Sequence, residues 1–141
     1  MIAVVRIRGL CRIRKDLADT LYMMRLYNKN HAVVLEETKQ NLGMIKKVKD
    51  FVAYGKIEEP LFKELIEKRG QEYVGRETDS SGKISYSRRF IEYNGKKYLK
   101  YFRLSPPKKG YGRMGIKKPF NRSGALGDRK EKINDLLKRM I

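Results

Sequence analysis

One short stretch of the chain matches a motif that binds dinucleotides. Gly110-Tyr111-Gly112-Arg113-Met114-Gly115 has the spacing G-x-G-x-x-G, in which glycines let the backbone approach a pyrophosphate where a helix begins. The motif needs its last glycine to open that helix, but Lys117, Lys118 and Pro119 follow at once. No parallel strand-helix-strand unit surrounds it either. We therefore interpret the stretch as a flexible loop whose backbone can approach phosphates closely.

Side chains that could carry catalysis or hold a metal are sparse. The chain has one cysteine, Cys11, and one histidine, His31, which excludes an internal disulfide and a Cys/His zinc cluster. His31 begins an apolar stretch and is expected to be half-buried in a strand, while Cys11 has no paired histidine to activate it. The acidic residues lie in or beside predicted helices with lysines nearby, as ordinary surface ion pairs do. The sequence thus predicts no catalytic residue, no metal site and no enzymatic activity.

The residues best placed to meet a partner are cations interleaved with aromatic rings. Residues 105–130 contain five Gly, three of the four Pro and eight Lys/Arg, with one acidic residue. Such a stretch buries too little apolar surface to offset its ordering entropy, so we expect a mobile arm that a partner orders. Cations suit phosphates, and rings can stack on exposed bases. The predicted RNA contacts of this region are Lys108, Lys109, Tyr111, Arg113, Lys117, Lys118, Phe120, Arg122 and Arg129.

Two further basic patches precede the arm. The first surrounds the first turn, where arginine forks suit phosphate oxygens bidentately, although protection of a strand edge explains it equally well. Its predicted contacts are Arg6, Arg8, Arg12 and Arg14. The second comprises Lys46 and Lys49 on a predicted helix, where an ordinary solvated face is the alternative.

The overall charge agrees with a polyanionic partner. The 141 residues carry 34 Lys+Arg against 16 Asp+Glu, a formal charge of +18, and nucleic acid or an anionic membrane surface is the usual partner of such a chain. No apolar run approaches the roughly 20 residues that span a bilayer. Met1 leads directly into a strand-like stretch rather than a signal segment. We therefore expect a soluble, intracellular protein with no membrane partner.

Periodicity predicts the elements that position these side chains. Residues 1–8 form a half-buried strand with Ala3, Val5 and Ile7 on one face. Asp16 is predicted to cap a first helix, and 31–35 form a second strand. The order so far is β-α-β.

The remainder of the chain predicts three more helices and a hairpin. Asn41 is a plausible cap for a second helix, whose buried stripe is Met44, Ile45, Val48, Phe51 and Val52. Glu59 and Pro60 open a third helix that stops at Gly70. Asn94-Gly95 predicts a β-hairpin between strands at 90–93 and 98–104. Asp128 and Glu131 begin a terminal helix with an apolar stripe of Ile133, Leu136, Leu137 and Met140. These patterns favour an α+β fold with helices on one face of the sheet.

Several of these segments resemble a known family, the large-subunit ribosomal proteins of the L-thirty family in its long archaeal form, related to eukaryotic L-seven. The resembling residues are Val4-Val5-Arg6-Ile7-Arg8-Gly9, Thr20-Leu21, Arg25-Leu26, Gly43-Met44-Ile45-Lys46-Lys47-Val48-Lys49-Asp50, Tyr54-Gly55-Lys56, Phe102-Arg103-Leu104-Ser105-Pro106-Pro107, Gly115-Ile116-Lys117, Gly124-Ala125-Leu126-Gly127, Ile133-Asn134 and Arg139-Met140. The match spans most of the chain, and its C-terminal part is the most specific.

The resemblance implies a small ferredoxin-like β-α-β-α-β core whose third strand comes late, at 101–105. It divides the chain into a β-α-β-α core (1–57), an inserted helix and hairpin subdomain (58–97), the late core strand (98–105), the basic Gly/Pro-rich arm (106–127) and the C-terminal helix (128–141). The implied partners are large-subunit ribosomal RNA of the 23S type, with 5S RNA as a candidate neighbour, and adjacent large-subunit proteins. It implies no cofactor, no small-molecule substrate and a place on the cytoplasmic ribosome.

The leading hypothesis is a structural constituent of the large ribosomal subunit that stabilises folded ribosomal RNA by neutralising phosphates. A DNA-compacting chromatin protein is the alternative that the same composition would serve. An RNA-processing enzyme is disfavoured because the sequence offers no usable acid/base pair or metal cluster.

Overall fold

A computed structural model describes residues 1–86 and 89–141. The strands are β1 (Ile2–Arg6), β2 (His31–Leu35), β3 (Val52–Lys56), β4 (Phe90–Tyr93), β5 (Lys96–Leu99), β6 (Phe102–Arg103) and β7 (Gly127–Asp128). The helices are α1 (Lys15–Met23), α2 (Lys39–Lys47), α3 (Glu59–Arg69) and α4 (Ile133–Met140). Short 3₁₀ turns lie at Gly115–Lys117, Phe120–Arg122 and Lys130–Lys132. The fold is α+β with a ferredoxin-like core, as expected.

Five strands form one mixed sheet in the order β6-β2-β1-β3-β7. The central strand β1 pairs antiparallel with β2 and β3, β6 pairs antiparallel with β2, and β7 runs parallel to β3. Strands β4 and β5 form a separate hairpin. The arm therefore returns to the sheet at β7 before the terminal helix begins.

The two faces of the sheet carry separate apolar cores. Ile2 and Val4 of β1 pack with residues of α1 and α2, including Leu21 and Ile45. Ala3 and Val5, on the opposite face, pack with residues of α3 and α4. The core helices α1 and α2 thus share one face as predicted, and α3 and α4 cover the other. The prediction that β1 is half-buried is wrong, because both of its faces are covered.

The predicted positions of three helix starts need correction. The terminal helix α4 begins at Ile133, whereas Asp128, predicted to begin it, belongs to β7. Helix α1 follows Arg14, and Asp16 lies in its first turn, where it pairs with Arg14 at 2.8 Å. Helix α2 is capped by Thr38, whose hydroxyl accepts a hydrogen bond from the Asn41 backbone N–H at 3.2 Å. In both α1 and α2 the predicted cap is a polar residue that lies inside the first turn.

The third core strand was predicted at 101–105, but the structure has it at Val52–Lys56. Helix α2 ends at Lys47, and Val52, predicted to lie on its apolar stripe, begins β3 beside β1. The late strand implied by the family resemblance does exist as β6, but it lies at the sheet edge against β2. The signal for β3 was hidden because Val48, Phe51 and Val52 continue the helical spacing of α2.

Elements with strong local signals form as predicted. Strand β2 has the predicted bounds, and α3 contains Pro60 in its first turn and ends at Gly70. The hairpin turns at Asn94 and Gly95, which both have positive φ (50° and 75°), as a type I′ turn requires. Its second strand, predicted at 98–104, is instead β5 (Lys96–Leu99), because Phe102 and Arg103 pair with β2 in the main sheet. All four predicted apolar residues of α4 are fully buried, and burial of each such side chain contributes about 1.5–3 kcal/mol.

The arm is packed over its last third, which corrects the prediction of an unpacked segment. Gly124, Ala125 and Leu126 are buried, and the N–H groups of Ala125 and Leu126 donate to the Lys118 carbonyl at 3.0 and 3.2 Å. These bonds close a compact loop that directs the chain into β7. Leu126 joins the α3/α4 core, so this loop is anchored by apolar burial as well as by hydrogen bonds.

Candidate nucleic-acid interface

Arg8 is fixed where β1 leaves the sheet. The backbone N–H groups of Ile7 and Arg8 both donate to the Phe51 carbonyl, at 3.0 and 3.2 Å. The Arg8 guanidinium lies 4.9 Å from the centre of the Phe51 ring, and its Nη1 donates to the Asp50 carbonyl at 3.2 Å. Stacking and hydrogen bonding hold this cation at the turn between α2 and β3, with other guanidinium donors left for a partner.

Lys49 lies near Arg8, just after the end of α2. It is exposed and follows the last helical turn, in which Lys46 is also exposed. Lysines at a helix C-terminus offset the negative end of the helix dipole. The two predicted lysines therefore have a local structural reason to be there, and both remain accessible to solvent.

A third cation, Lys117 of the arm, lies near Arg8 and Lys49. Lys117 lies in the 3₁₀ turn that precedes the loop closed by Lys118 and Leu126. A cleft of about 430 Å³ is lined by Arg8, Lys49, Asp50, Lys117, Pro119, Leu126 and Gly127. We call it the basic cleft. Three cations from three separate segments line it together with one carboxylate, so each of the three patches found in the sequence contributes one side chain to a single site.

A second cleft opens beside the first half of the arm. It has a volume of about 530 Å³, and the predicted residues that line it are Lys109, Tyr111, Arg113, Phe120 and Arg129. Lys132 and Arg139 also line it, and neither is among the RNA contacts predicted from the sequence. Their spacing of seven residues puts both on one face of the terminal helical segment, and this was the signal that could have found them.

Two predicted contact residues are removed from the surface. Arg6 is 2% exposed and donates to the carbonyls of Leu26 and Tyr27 at 2.7 and 2.6 Å. Arg129 is 4% exposed and donates to the carbonyls of Ala125 and Tyr111 at 3.1 and 3.3 Å. Burial lowers the pKa of both guanidinium groups. Both guanidinium groups hold loop carbonyls, which leaves little of either side chain on the surface, although Arg129 also lines the second cleft.

The two aromatic rings of the arm that were predicted to stack on bases, Tyr111 and Phe120, have contacts within the protein. The Tyr111 hydroxyl donates to Asn30 Oδ1, and its ring packs against the α3/α4 core. Burial raises the pKa of Tyr111. The guanidinium of Arg129 lies 4.7 Å from the centre of the Phe120 ring, and the Lys132 ammonium lies 5.8 Å from it. Both rings therefore have partners within the protein, and both also line the second cleft.

The other predicted cations lie on exposed turns. Arg12 is exposed in a left-handed backbone conformation (φ 54°) after β1, whereas Arg14 is engaged by Asp16. The exposed cations of the arm are Lys108, Lys109, Arg113, Lys117, Lys118 and Arg122. Of all the predicted cations, Arg8, Lys49 and Lys117 line the basic cleft, whereas Lys109 and Arg113 line the second cleft.

The dinucleotide motif forms no dinucleotide site. Gly110, Gly112 and Gly115 have φ of 74°, 128° and 70°, which is turn geometry, and only a three-residue 3₁₀ turn follows. In the described ranges, no group of three or more His, Cys, Asp and Glu side chains is placed to hold a metal ion. Nor do those ranges contain a helix with the length and apolar character needed to cross a membrane.

Comparison with known proteins decides the family. Residues 2–52 match the family model described as ribosomal protein L30p/L7e. The large ribosomal subunit protein uL30 of Nanoarchaeum equitans is 42% identical over 154 aligned positions, which cover 99% of this chain and 97% of that protein. This chain belongs to the uL30 family. The uL30 proteins of Methanococcus maripaludis and Methanopyrus kandleri are 41% and 38% identical, covering 99% and 95% of the chain and 98% and 99% of the relatives.

Membership of the uL30 family confirms the resemblance seen in the sequence. These relatives are archaeal, which agrees with the long form that was inferred. Family identity points to a structural protein rather than an enzyme. The alternative of a chromatin protein finds no support among these relatives.

Proposed function

We propose that this chain is a structural constituent of the large ribosomal subunit that binds folded large-subunit ribosomal RNA through the basic cleft and the cations around it. The observation that carries this proposal is the convergence of Arg8, Lys49 and Lys117 on one cleft. A sugar-phosphate backbone running through the cleft would meet three cations at once and release their counterions. The place of action is the cytoplasmic ribosome.

The charge distribution supports this assignment. Residues 58–97 hold nine Lys/Arg and eight Asp/Glu, a net charge of +1 in a chain of +18. The basic cleft and the second cleft are built from residues outside that segment. Because RNA binding is driven by cations, the basic ends of the chain face RNA in this proposal, and the near-neutral segment 58–97 faces solvent or neighbouring large-subunit proteins.

Recognition by shape fits the residues that remain available. The cations of the basic cleft are one guanidinium and two ammonium groups, which suit phosphate oxygens and outnumber the single carboxylate of Asp50. Tyr111 and Phe120 already have partners within the protein, and neither lines the basic cleft. Affinity at the cleft should therefore depend on the fold of the RNA backbone more than on base identity.

Sedimentation tests the proposed assembly, and competition tests the proposed ligand. We expect the chain to migrate with the large-subunit peak of a cell lysate in a sucrose gradient at physiological salt. Deproteinised large-subunit RNA should displace it from a labelled complex at far lower concentration than duplex DNA of equal phosphate content. Migration outside that peak, or equal displacement by the two nucleic acids, would overturn the proposal.

A further inference from the structure

Four aromatic rings meet at the β2–β6 end of the sheet, among residues that line neither cleft. The centre of the Tyr27 ring lies 5.1 Å from that of Tyr22 and 5.5 Å from that of Tyr101. His31 stacks on Tyr101 with ring centres 5.4 Å apart and an interplanar angle of 16°. We call Tyr22, Tyr27, His31 and Tyr101 the aromatic cluster. Since α1, the following loop, β2 and the residue before β6 each supply one ring, the tertiary fold holds the rings in place.

Exposure is graded across the aromatic cluster. His31 is 6% exposed, Tyr27 and Tyr101 are half-buried, and Tyr22 is 69% exposed on α1. The cluster is therefore packed at His31 and open to solvent at the Tyr22 ring. An open ring whose position is set by neighbouring rings loses little side-chain freedom when a second flat group stacks on it, and this favours binding.

The surroundings of the aromatic cluster are positively charged. Arg103 pairs with His31 across β2 and β6, is exposed, and has its guanidinium 6.0 Å from the centre of the Tyr101 ring. After burial, the charges of Arg103 and Arg6 are what lower the pKa of His31. The field at the cluster is thus positive, which attracts a ligand that is both flat and anionic.

We propose that the aromatic cluster and Arg103 receive an unpaired segment of large-subunit ribosomal RNA, with a base stacked on Tyr22 and a backbone phosphate of the same segment at Arg103. This inference rests on the proposed function and adds to it a contact of different chemistry. Nucleotides in loops and bulges expose a π-face next to a negative charge, which matches this pairing of ring and cation. A protein partner would match the rings but would have to supply its own carboxylate for Arg103.

Ring replacement separates stacking from charge. Tyr22→Leu should weaken binding to deproteinised large-subunit RNA about tenfold, since stacking on one ring contributes roughly that factor. Tyr22→Phe keeps the ring and should bind as the parent does. The slope of log affinity against log salt should stay unchanged in both, because neither loses a cation. Val74→Ser, which trims a side chain 95% exposed in the segment 58–97, is the control and should bind as the parent does.

The outcomes distinguish this inference from the proposed function. If the parent chain fails to bind the RNA, both fail. If the parent binds and Tyr22→Leu binds equally well, with the same unfolding midpoint, only the stacking contact is overturned. Ultraviolet cross-linking of intact subunits should attach a nucleotide to the peptide that contains Tyr22. A cross-link from that peptide to another protein in place of RNA would overturn the inference in favour of a protein contact.

Discussion

Gly124 lies directly against the backbone of Lys118, and this contact closes the loop of the arm. A Cβ atom at Gly124 would overlap the Lys118 carbonyl oxygen and lie 2.7 Å from the Lys118 Cβ. The Gly124 N–H also donates to the Pro119 carbonyl at 3.0 Å. The loop positions Pro119 and Leu126 in the wall of the basic cleft, so the shape of the cleft depends on the absence of a side chain at this residue.

Gly124→Ala should therefore destabilise the protein. The added methyl group has backbone on its near side and cannot be accommodated by rotation of a side chain, so we expect the free energy of unfolding to fall by about 1–3 kcal/mol. Chemical denaturation measures it. Gly43→Ala is the matched control: nothing lies within 4 Å of a Cβ there, and Gly43 sits inside α2. That substitution should stabilise the protein by about 0.5–1 kcal/mol, and a loss of stability there would contradict the helix assignment.

Arg129 is predicted to be needed for stability even though the sequence suggested a role in RNA contact. Arg129→Met removes a charged donor from the carbonyls of Ala125 and Tyr111 and should lower the free energy of unfolding by about 3 kcal/mol, because buried acceptors lose their partner. Arg113→Met, at an exposed position of the same arm, should change stability by less than about 0.5 kcal/mol. Equal stability of the two variants would contradict the buried role of Arg129.

His31 should make stability depend on pH below neutrality. Burial, then the charges of Arg103 and Arg6, lower the pKa of its imidazole, and its Nδ1 has no hydrogen-bond partner among the described residues. The unfolded chain therefore takes up a proton at higher pH than the folded chain does. Stability should be full above the ordinary histidine pKa of about 6.5 and should fall as pH drops below it.

A non-titrating variant tests that assignment. His31 is the one histidine of the chain, so His31→Gln should flatten the dependence of the unfolding midpoint on pH between about pH 7 and about pH 5. An equally steep decline in the variant would show that acidic residues, not His31, govern stability in this range.

The sequence predicted elements whose signals are local. Helix α3 carries Pro60 in its first turn and is followed by Gly70, and the hairpin turns at Asn94-Gly95, because those residues have intrinsic backbone preferences. Strand β3 was not predicted, because its first residue, Val52, continues the apolar spacing of the preceding helix. Its place beside β1 is set by pairing between residues far apart in sequence, which periodicity does not contain.

The individual cations of the basic cleft could be predicted from the sequence, but their convergence on one cleft could not. Residue type alone pointed to Arg8, Lys49 and Lys117, but only the fold brings them to one cleft. Arg6 and Arg8 look alike in the sequence, yet Arg6 is buried because the carbonyls of Leu26 and Tyr27 face it. The placement of such carbonyls depends on loop conformation, so composition could not separate the two arginines.

The salt dependence of RNA binding tests the central claim most directly. The measurement compares the parent with a triple variant, Arg8→Gln, Lys49→Gln and Lys117→Gln, binding deproteinised large-subunit RNA over a range of salt concentrations. The control triple variant carries Lys63→Gln, Arg76→Gln and Lys83→Gln, three exposed positions in the segment 58–97. The two triple variants each remove three positive charges. We expect the slope of log affinity against log salt to become shallower by about 1 for each cleft cation removed, and the control to keep the slope of the parent. Equal slopes for the two triple variants would contradict the claim that the basic cleft binds the RNA backbone.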